Sequence, residues 1–537
     1  MSSKLVKGTA ILTIGLFLSK ALGLLYLIPL YAIVGEESIG LYNYAYIPYN
    51  IALAIAISGA PLGVSRFVSR YNALGDYVTG RKLMKSGMYV MMTTGFLAFL
   101  ALFFLAEPIA HLVISSDEQI YSIGQIATVI RWVSFSLLVV PLMSIVRGFL
   151  QGYNKMEPTA VSQLVEQIVR IIAVLIGAYV VVNVMNKSPE KAINFAVFAA
   201  FIGGLAGLVV LYRYWRKYKP EFDYLLDNSV SPEHSPSFLQ MYKELSGYLV
   251  PFILVGVINP LYQFVDMATF SKTMVSMGLV EVSTTYFTML NLLTHKLVMI
   301  PVMIATGFSM ALIPVLTTYF TKNDQKGITR TLDQTYQIMM YFTIPIVIGL
   351  MVLANEFYHL LYQKSAMGAE ILANYAPVAI LFGLFSVSAA ILQGIDRHKW
   401  IVITSLTGLL IKLAINIPLI KLFETNGAIL ATALGYGVAV GLNIIIITRT
   451  LNYKSKVVFR RLALIGILNF IMFVAVYFVL KGLTAFSAVD GKMQALLYIL
   501  ICAFVGAVIY GYLSLKTGLA QKLFGERLTK LADKLGF

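Results

Sequence analysis

Apolar residues run through this chain in long blocks, and polar residues gather in the short stretches between them. Blocks of this length predict helices that cross a bilayer. A hydrocarbon core of about 30 Å needs roughly 20 apolar helical residues, and lipid offers the backbone no partner outside its own segment. The pattern predicts spans at 8–34, 44–66, 85–106, 124–149, 160–183 and 193–213. A second set follows at 246–270, 286–318, 337–355, 372–394, 400–420 and 427–448, with a closing pair at 461–481 and 492–514, fourteen in all. Lys4 and Lys7 precede the first block without a small-residue cleavage site, so the block reads as a span and not a removable signal. The expected architecture is an all-α polytopic membrane protein. A six-helix bundle occupies 1–213, a linker 214–245, a second bundle 246–450, and two extra helices with a tail 451–537.

Composition strengthens this picture. The 537 residues are 59% hydrophobic and 12% charged, against about 45–50% and about 25% in soluble domains. The net charge of +16 would suggest nucleic acid in a soluble protein, but here topology accounts for it. With both termini on one side, 26 loop cations share that side and 7 face the other. Cytoplasmic loops carry such an excess, so both termini are expected in the cytoplasm and no nucleic acid is expected as partner. The single cysteine, Cys502, leaves no pair for an internal disulfide.

The chain also repeats itself. Leu150-Gln151-Gly152-Tyr153-Asn154-Lys155 recurs as Leu392-Gln393-Gly394-Ile395-Asp396-Arg397, offset by 242, which also sets Arg170 against Lys412. At offset 248, Asp76 pairs with Asp324, Leu105-Ala106 with Leu353-Ala354, and His111-Leu112 with His359-Leu360. Matches in order and at nearly constant spacing predict two homologous bundles. Transporters use such halves to rock about a central site.

An ionisable group inside hydrocarbon is costly and marks a functional candidate. The candidates are Lys20, Arg131, Arg170, Lys296 and Lys412, with Glu166, Asp266 and His295 as coupling or charge partners. Cations outnumber carboxylates, which suits an anionic visitor: Lys and Arg give charge-assisted donors to phosphate oxygens. Local alternatives compete for some of them. Glu166 and Arg170, spaced i,i+4, are placed to pair on one helix face, and Arg131 is near enough to a span end to snorkel. Arg66 and Arg70 close the second span, where headgroup or substrate contact competes with anchoring.

No GxxxxGK[ST] loop, HExxH, Cys/His cluster or GxSxG elbow occurs in the sequence. No catalytic residue, metal or cofactor is therefore expected, and transport energy must come from a membrane potential or a gradient.

Several motifs carry a family resemblance along nearly the whole chain. They are Leu18-Ser19-Lys20-Ala21-Leu22-Gly23, Ser58-Gly59-Ala60-Pro61 with Ser65-Arg66, Arg147-Gly148-Phe149-Leu150-Gln151-Gly152, Pro158-Thr159-Ala160 and Glu166-Gln167. The chain resembles the MOP superfamily of exporters and flippases, in the Gram-positive branch that includes MurJ-type lipid II flippases and stage V sporulation protein B. The resemblance implies that Lys20 stands where the family has a cavity-lining arginine, that the next family arginine falls on Tyr26, and that the last two helices form a groove for a lipid tail. The function it implies is a flippase moving a polyprenyl-pyrophosphate-linked saccharide, with lipid II as leading substrate. Expected partners are an undecaprenyl-pyrophosphate-type lipid, membrane lipids and cell-wall synthesis enzymes. Alternatives are another wall or capsular saccharide lipid, a cation-coupled multidrug exporter, and a non-transporting scaffold for wall synthesis.

Overall fold

The computed structural model describes residues 15, 18–19, 21–23, 25–57, 59–114, 121–230, 237–453, 456–487 and 489–524. Some 90% of the structure is helix, and no strand occurs among the described residues.

Twelve helical runs among the described residues are long and apolar enough to cross a membrane. The difference from the expected fourteen lies in two runs, Ala21–Ile57 and His398–Leu451, which fuse neighbouring expected spans. Neither is a straight rod. A helix of 54 residues would extend about 80 Å at 1.5 Å per residue, yet Thr404 Oγ1 donates to Asn443 Oδ1 at 2.6 Å. The run therefore doubles back, and it does so at Glu424, where φ is 50° and ψ is −126°. The first run bends in the same way at Gly35 (φ 77°, ψ 172°), which lets the hydroxyls of Tyr26 and Tyr42 meet. A left-handed backbone at that bend suits glycine, which has no Cβ to clash. A further break at Gly59 (φ 78°) starts the helix Ala60–Ala73, with proline in its first turn. The expected 44–66 span is thus shared between two helices.

The chain forms two compact units, 1–285 and 286–537. The helix Phe238–Ser276, expected to open the second bundle, packs with the first unit: Tyr242 hydrogen-bonds Ser86 at 3.1 Å and Tyr44 meets Ser271 at 3.4 Å. Much of the expected linker is also ordered helix. Pro189–Asp227 runs unbroken through Pro220. Its end is pinned by Arg81–Asp223 (3.2 Å) and Lys155–Glu221 (2.9 Å), and by Trp215 and Phe222 packed on Phe149. Ser229 then accepts from the Tyr77 amide at 2.9 Å, tying the chain to the start of the next helix over.

Local geometry repeats wherever the sequence does. Asn154 and Asp396 both adopt φ 58°. Lys155 N donates to Leu150 O at 2.9 Å, and Arg397 N to Leu392 O at 2.8 Å. Asp76 and Asp324 each cap a 28-residue helix, accepting at 2.9 Å from the amides of Thr79 and Gly327. Each of those helices is followed by one of eight residues, Ala106–Val113 and Ala354–Leu361. Asx side chains tolerate left-handed backbone and cap helices well, which is why the repeat shows at these positions.

Candidate functional site

The helix Glu157–Tyr179 carries Arg170, one of the cationic candidates of the first unit, and glycines of a neighbouring helix pack closely against it. A Cβ on Gly203 would lie 2.7 Å from the Glu166 carbonyl oxygen and 2.8 Å from Arg170 Cβ; Gly207, one turn on, faces Ser162 and Glu166. Small residues at this spacing let two membrane helices approach backbone to backbone.

The pairing of Glu166 with Arg170 does not form. Glu166 instead accepts from Arg147 Nη2 at 2.8 Å, while Arg147 Nε donates to Ser162 Oγ at 3.0 Å. An i,i+4 pair is worth about 0.2–0.5 kcal/mol, so a better-buried partner from another helix outcompetes it. Arg147 is 8% exposed and was absent from the expected set of membrane charges. The only signal for it was its place in the Arg147–Gly152 motif.

Released from Glu166, Arg170 lies on tyrosines. Its Nη2 donates to the hydroxyl of Tyr46 and, at 3.5 Å, to that of Tyr42, and its Cζ sits 5.2 Å from the Tyr46 ring centre. Tyr42, Tyr46 and Tyr49 fall at i, i+4 and i+7 of Leu27–Ile57 and so share one face. The rings of Tyr42 and Tyr46 stack at 4.3 Å, and Tyr49 meets Tyr46 edge-on at 5.5 Å. Arg170 itself is half-buried. This places a guanidinium against phenols and not against a carboxylate, an arrangement that keeps its positive charge available. Tyrosine was read from the sequence only at position 26; the rest of the cluster comes from helix packing.

The other candidates of the first unit lie elsewhere. Arg131 pairs with Glu107 at 3.3 Å, with both side chains exposed, so it is a surface ion pair and not part of the Arg170 cluster. Arg66 and Arg70 are exposed on Ala60–Ala73, Arg70 in its last turn. Asp266 is buried within Phe238–Ser276. Lys20 lies outside the described residues.

In the second unit a π-turn, Met289–Thr294, leads into the helix that starts at His295. His295 Nδ1 bonds the Tyr375 hydroxyl at 2.9 Å and its ring lies 6.1 Å from Phe382, so the imidazole is packed among aromatic side chains. Lys296 beside it is half-buried, and both Lys296 and Lys412 lie within electrostatic reach of His295. Lys412 departs from expectation. It is 1% exposed, and its Nζ donates to Thr432 Oγ1 at 2.7 Å. That bond clasps the two limbs of the Glu424 hairpin around an enclosed ammonium. No group of three or more His, Cys, Asp or Glu residues able to hold a metal occurs among the described residues.

Comparison with known proteins places this geometry. The model of a family described as polysaccharide biosynthesis protein matches residues 5–320. The chain is 44% identical over 534 residues to a protein of Bacillus subtilis (strain 168) named Lipid II flippase MurJ, covering 98% of each chain. Among solved structures, one titled Lipid II flippase MurJ, inward closed conformation, aligns with a TM-score of 0.66 at 16% identity, over 95% of this chain and 99% of that one. An inward-facing multidrug resistance MATE family transporter of the MOP superfamily aligns with a TM-score of 0.64 at 12% identity, over 80% of this chain and 94% of that one. The chain therefore belongs to the polysaccharide biosynthesis protein family, is MurJ-like along nearly its whole length, and shares its fold with a transporter of the MOP superfamily.

Proposed function

We propose that this protein is a flippase that carries lipid II, a polyprenyl-pyrophosphate-linked saccharide, from the inner to the outer leaflet of the bacterial cell membrane by alternating access. The likeness to the protein named Lipid II flippase MurJ, along 98% of both chains, carries the reading. The side chains give it chemical content. Arg170 meets phenols and not a carboxylate, which suits a guanidinium that receives a pyrophosphate. Lys296 supplies a second half-buried cation in its own unit, and Lys20 joins them on the strength of its sequence position. Lys412 and Arg131 are left out, because Thr432 and Glu107 already engage them. Both termini and the 214–245 segment face the cytoplasm in this reading, and a membrane potential or ion gradient drives the cycle. No step makes or breaks a covalent bond.

The test is depletion of the protein in a cell without a redundant flippase, with lipid II measured at the outer face. Accessibility should fall as the protein disappears. Unchanged accessibility would remove the proposal.

A further inference from the structure

Arginine carries five N–H donors on a rigid plane. In Arg170 the Nη2 group is engaged by Tyr46 and Tyr42, while Nε is enclosed and makes no hydrogen bond. An enclosed donor without an acceptor costs about 1–3 kcal/mol, and more when charged, so a guanidinium with spare donors gains when an acceptor meets its half-buried edge.

The surroundings are asymmetric. Tyr26 and Tyr42 are buried, and their hydroxyls bond to each other. Tyr46 is half-buried, as is Asn50 one turn further along the same helix face. The guanidinium thus has a closed side of stacked phenols and an accessible side. The phenols also settle a competition. Glu166, one helical turn away, would otherwise draw the guanidinium toward it, but Arg147 holds Glu166 and Tyr46 holds Arg170.

Resting on the lipid-pyrophosphate reading above, we propose that Tyr46, backed by Tyr42 and Tyr26, is a positioning residue. It fixes the plane of the Arg170 guanidinium so that its half-buried edge meets a phosphate oxygen, which makes residue 170 a directional oxyanion seat and not a diffuse positive charge. A lysine cannot replace such a seat, because an ammonium has no fixed plane to orient. The seat selects for an oxyanion, so a neutral prenyl alcohol gains nothing from it.

The experiment uses the full-length protein in lipid nanodiscs and farnesyl pyrophosphate as probe, with farnesol as control. Affinity and melting temperature are measured for wild type, Tyr46→Phe, Tyr26→Phe, Arg170→Lys and the Tyr46→Phe/Arg170→Lys double variant. Tyr46→Phe should weaken pyrophosphate binding about tenfold, the scale of one hydrogen bond to a charged group, with the melting temperature kept. Tyr26→Phe should weaken it by a smaller factor, being one contact further back. The double variant should bind no worse than Arg170→Lys alone, since Tyr46 acts only through the guanidinium. Wild-type affinity in Tyr46→Phe, whether or not its melting temperature falls, would overturn the positioning role, as would losses that multiply in the double variant. Failure of the wild type to prefer farnesyl pyrophosphate over farnesol would instead overturn the pyrophosphate reading beneath it.

Discussion

At equivalent positions of the internal repeat, the first unit displays an arginine on tyrosines while the second shuts a lysine inside a hairpin. Arg170 is half-buried and its guanidinium keeps an unanswered donor. Lys412 is sealed and its ammonium clasps Thr432. The same contrast recurs two turns earlier. Ser162 belongs to a charged network with Arg147 and Glu166, whereas its counterpart Thr404 belongs to a neutral one with Asn443 and Ser388. Duplication therefore preserved the backbone, down to the left-handed Asn154 and Asp396, and left the polar interior free to diverge. A cation shared by both halves is not evidence of a shared task. What each cation does follows from which neighbour already holds it.

The comparison can be broken in stages. The largest effect should come from Arg147→Ala, which strands Glu166 in a largely buried place. Breaking one side of a buried pair costs about 3–5 kcal/mol, and the partial exposure of Glu166 puts this case near about 3 kcal/mol. Thermal unfolding should show the loss, and adding Glu166→Gln should recover part of it. Next comes Arg170→Gln, which should keep its melting temperature yet lose about 10–100-fold in affinity for a pyrophosphate lipid, the worth of charge-assisted hydrogen bonds. Lys412→Met should leave that affinity within about twofold, since its ammonium is committed within the hairpin; equal losses at the two positions would erase the distinction between the halves. Thr404→Val removes the donor to Asn443 and should cost about 1–2 kcal/mol of stability, less than the charged counterpart in the first unit. Smallest of all, Arg131→Ala should change stability by less than about 1 kcal/mol, because the Glu107 pair is exposed. A large loss there would mean that the pair carries structure.

The apolar blocks made most of the helices legible, because lipid leaves the backbone no other solution. The repeat was equally legible, since Asp76, Asp324, Asn154 and Asp396 sit where caps and left-handed turns demand short polar side chains. The bends at Gly35 and Glu424 fall between expected spans, so each of these two runs takes in parts of two of them, and twelve runs stand where fourteen spans were expected. The site was less legible. Lys20, Arg170, Lys296 and Lys412 stood out as charges in apolar surroundings, but a charge does not name its partner. Glu166 and Arg170 are neighbours on one helix, and sequence spacing weighs that local geometry alone. The contacts that decide the outcome come from Arg147, 19 residues away, and Tyr46, 124 residues away. Gly203 and Gly207 pack a further helix, Pro189–Asp227, closely against Glu166 and Arg170, and a glycine pair reads in sequence as packing and not as chemistry.

The most direct test of the account joins the substrate to the residue. In cells whose only flippase is this protein, Arg170→Gln replaces the wild type at matched membrane levels, and lipid II is measured at the outer face. The account predicts that accessibility falls to the level seen when the protein is depleted. Wild-type accessibility in that strain would contradict it, and Arg170 would then be a structural arginine held by its tyrosines.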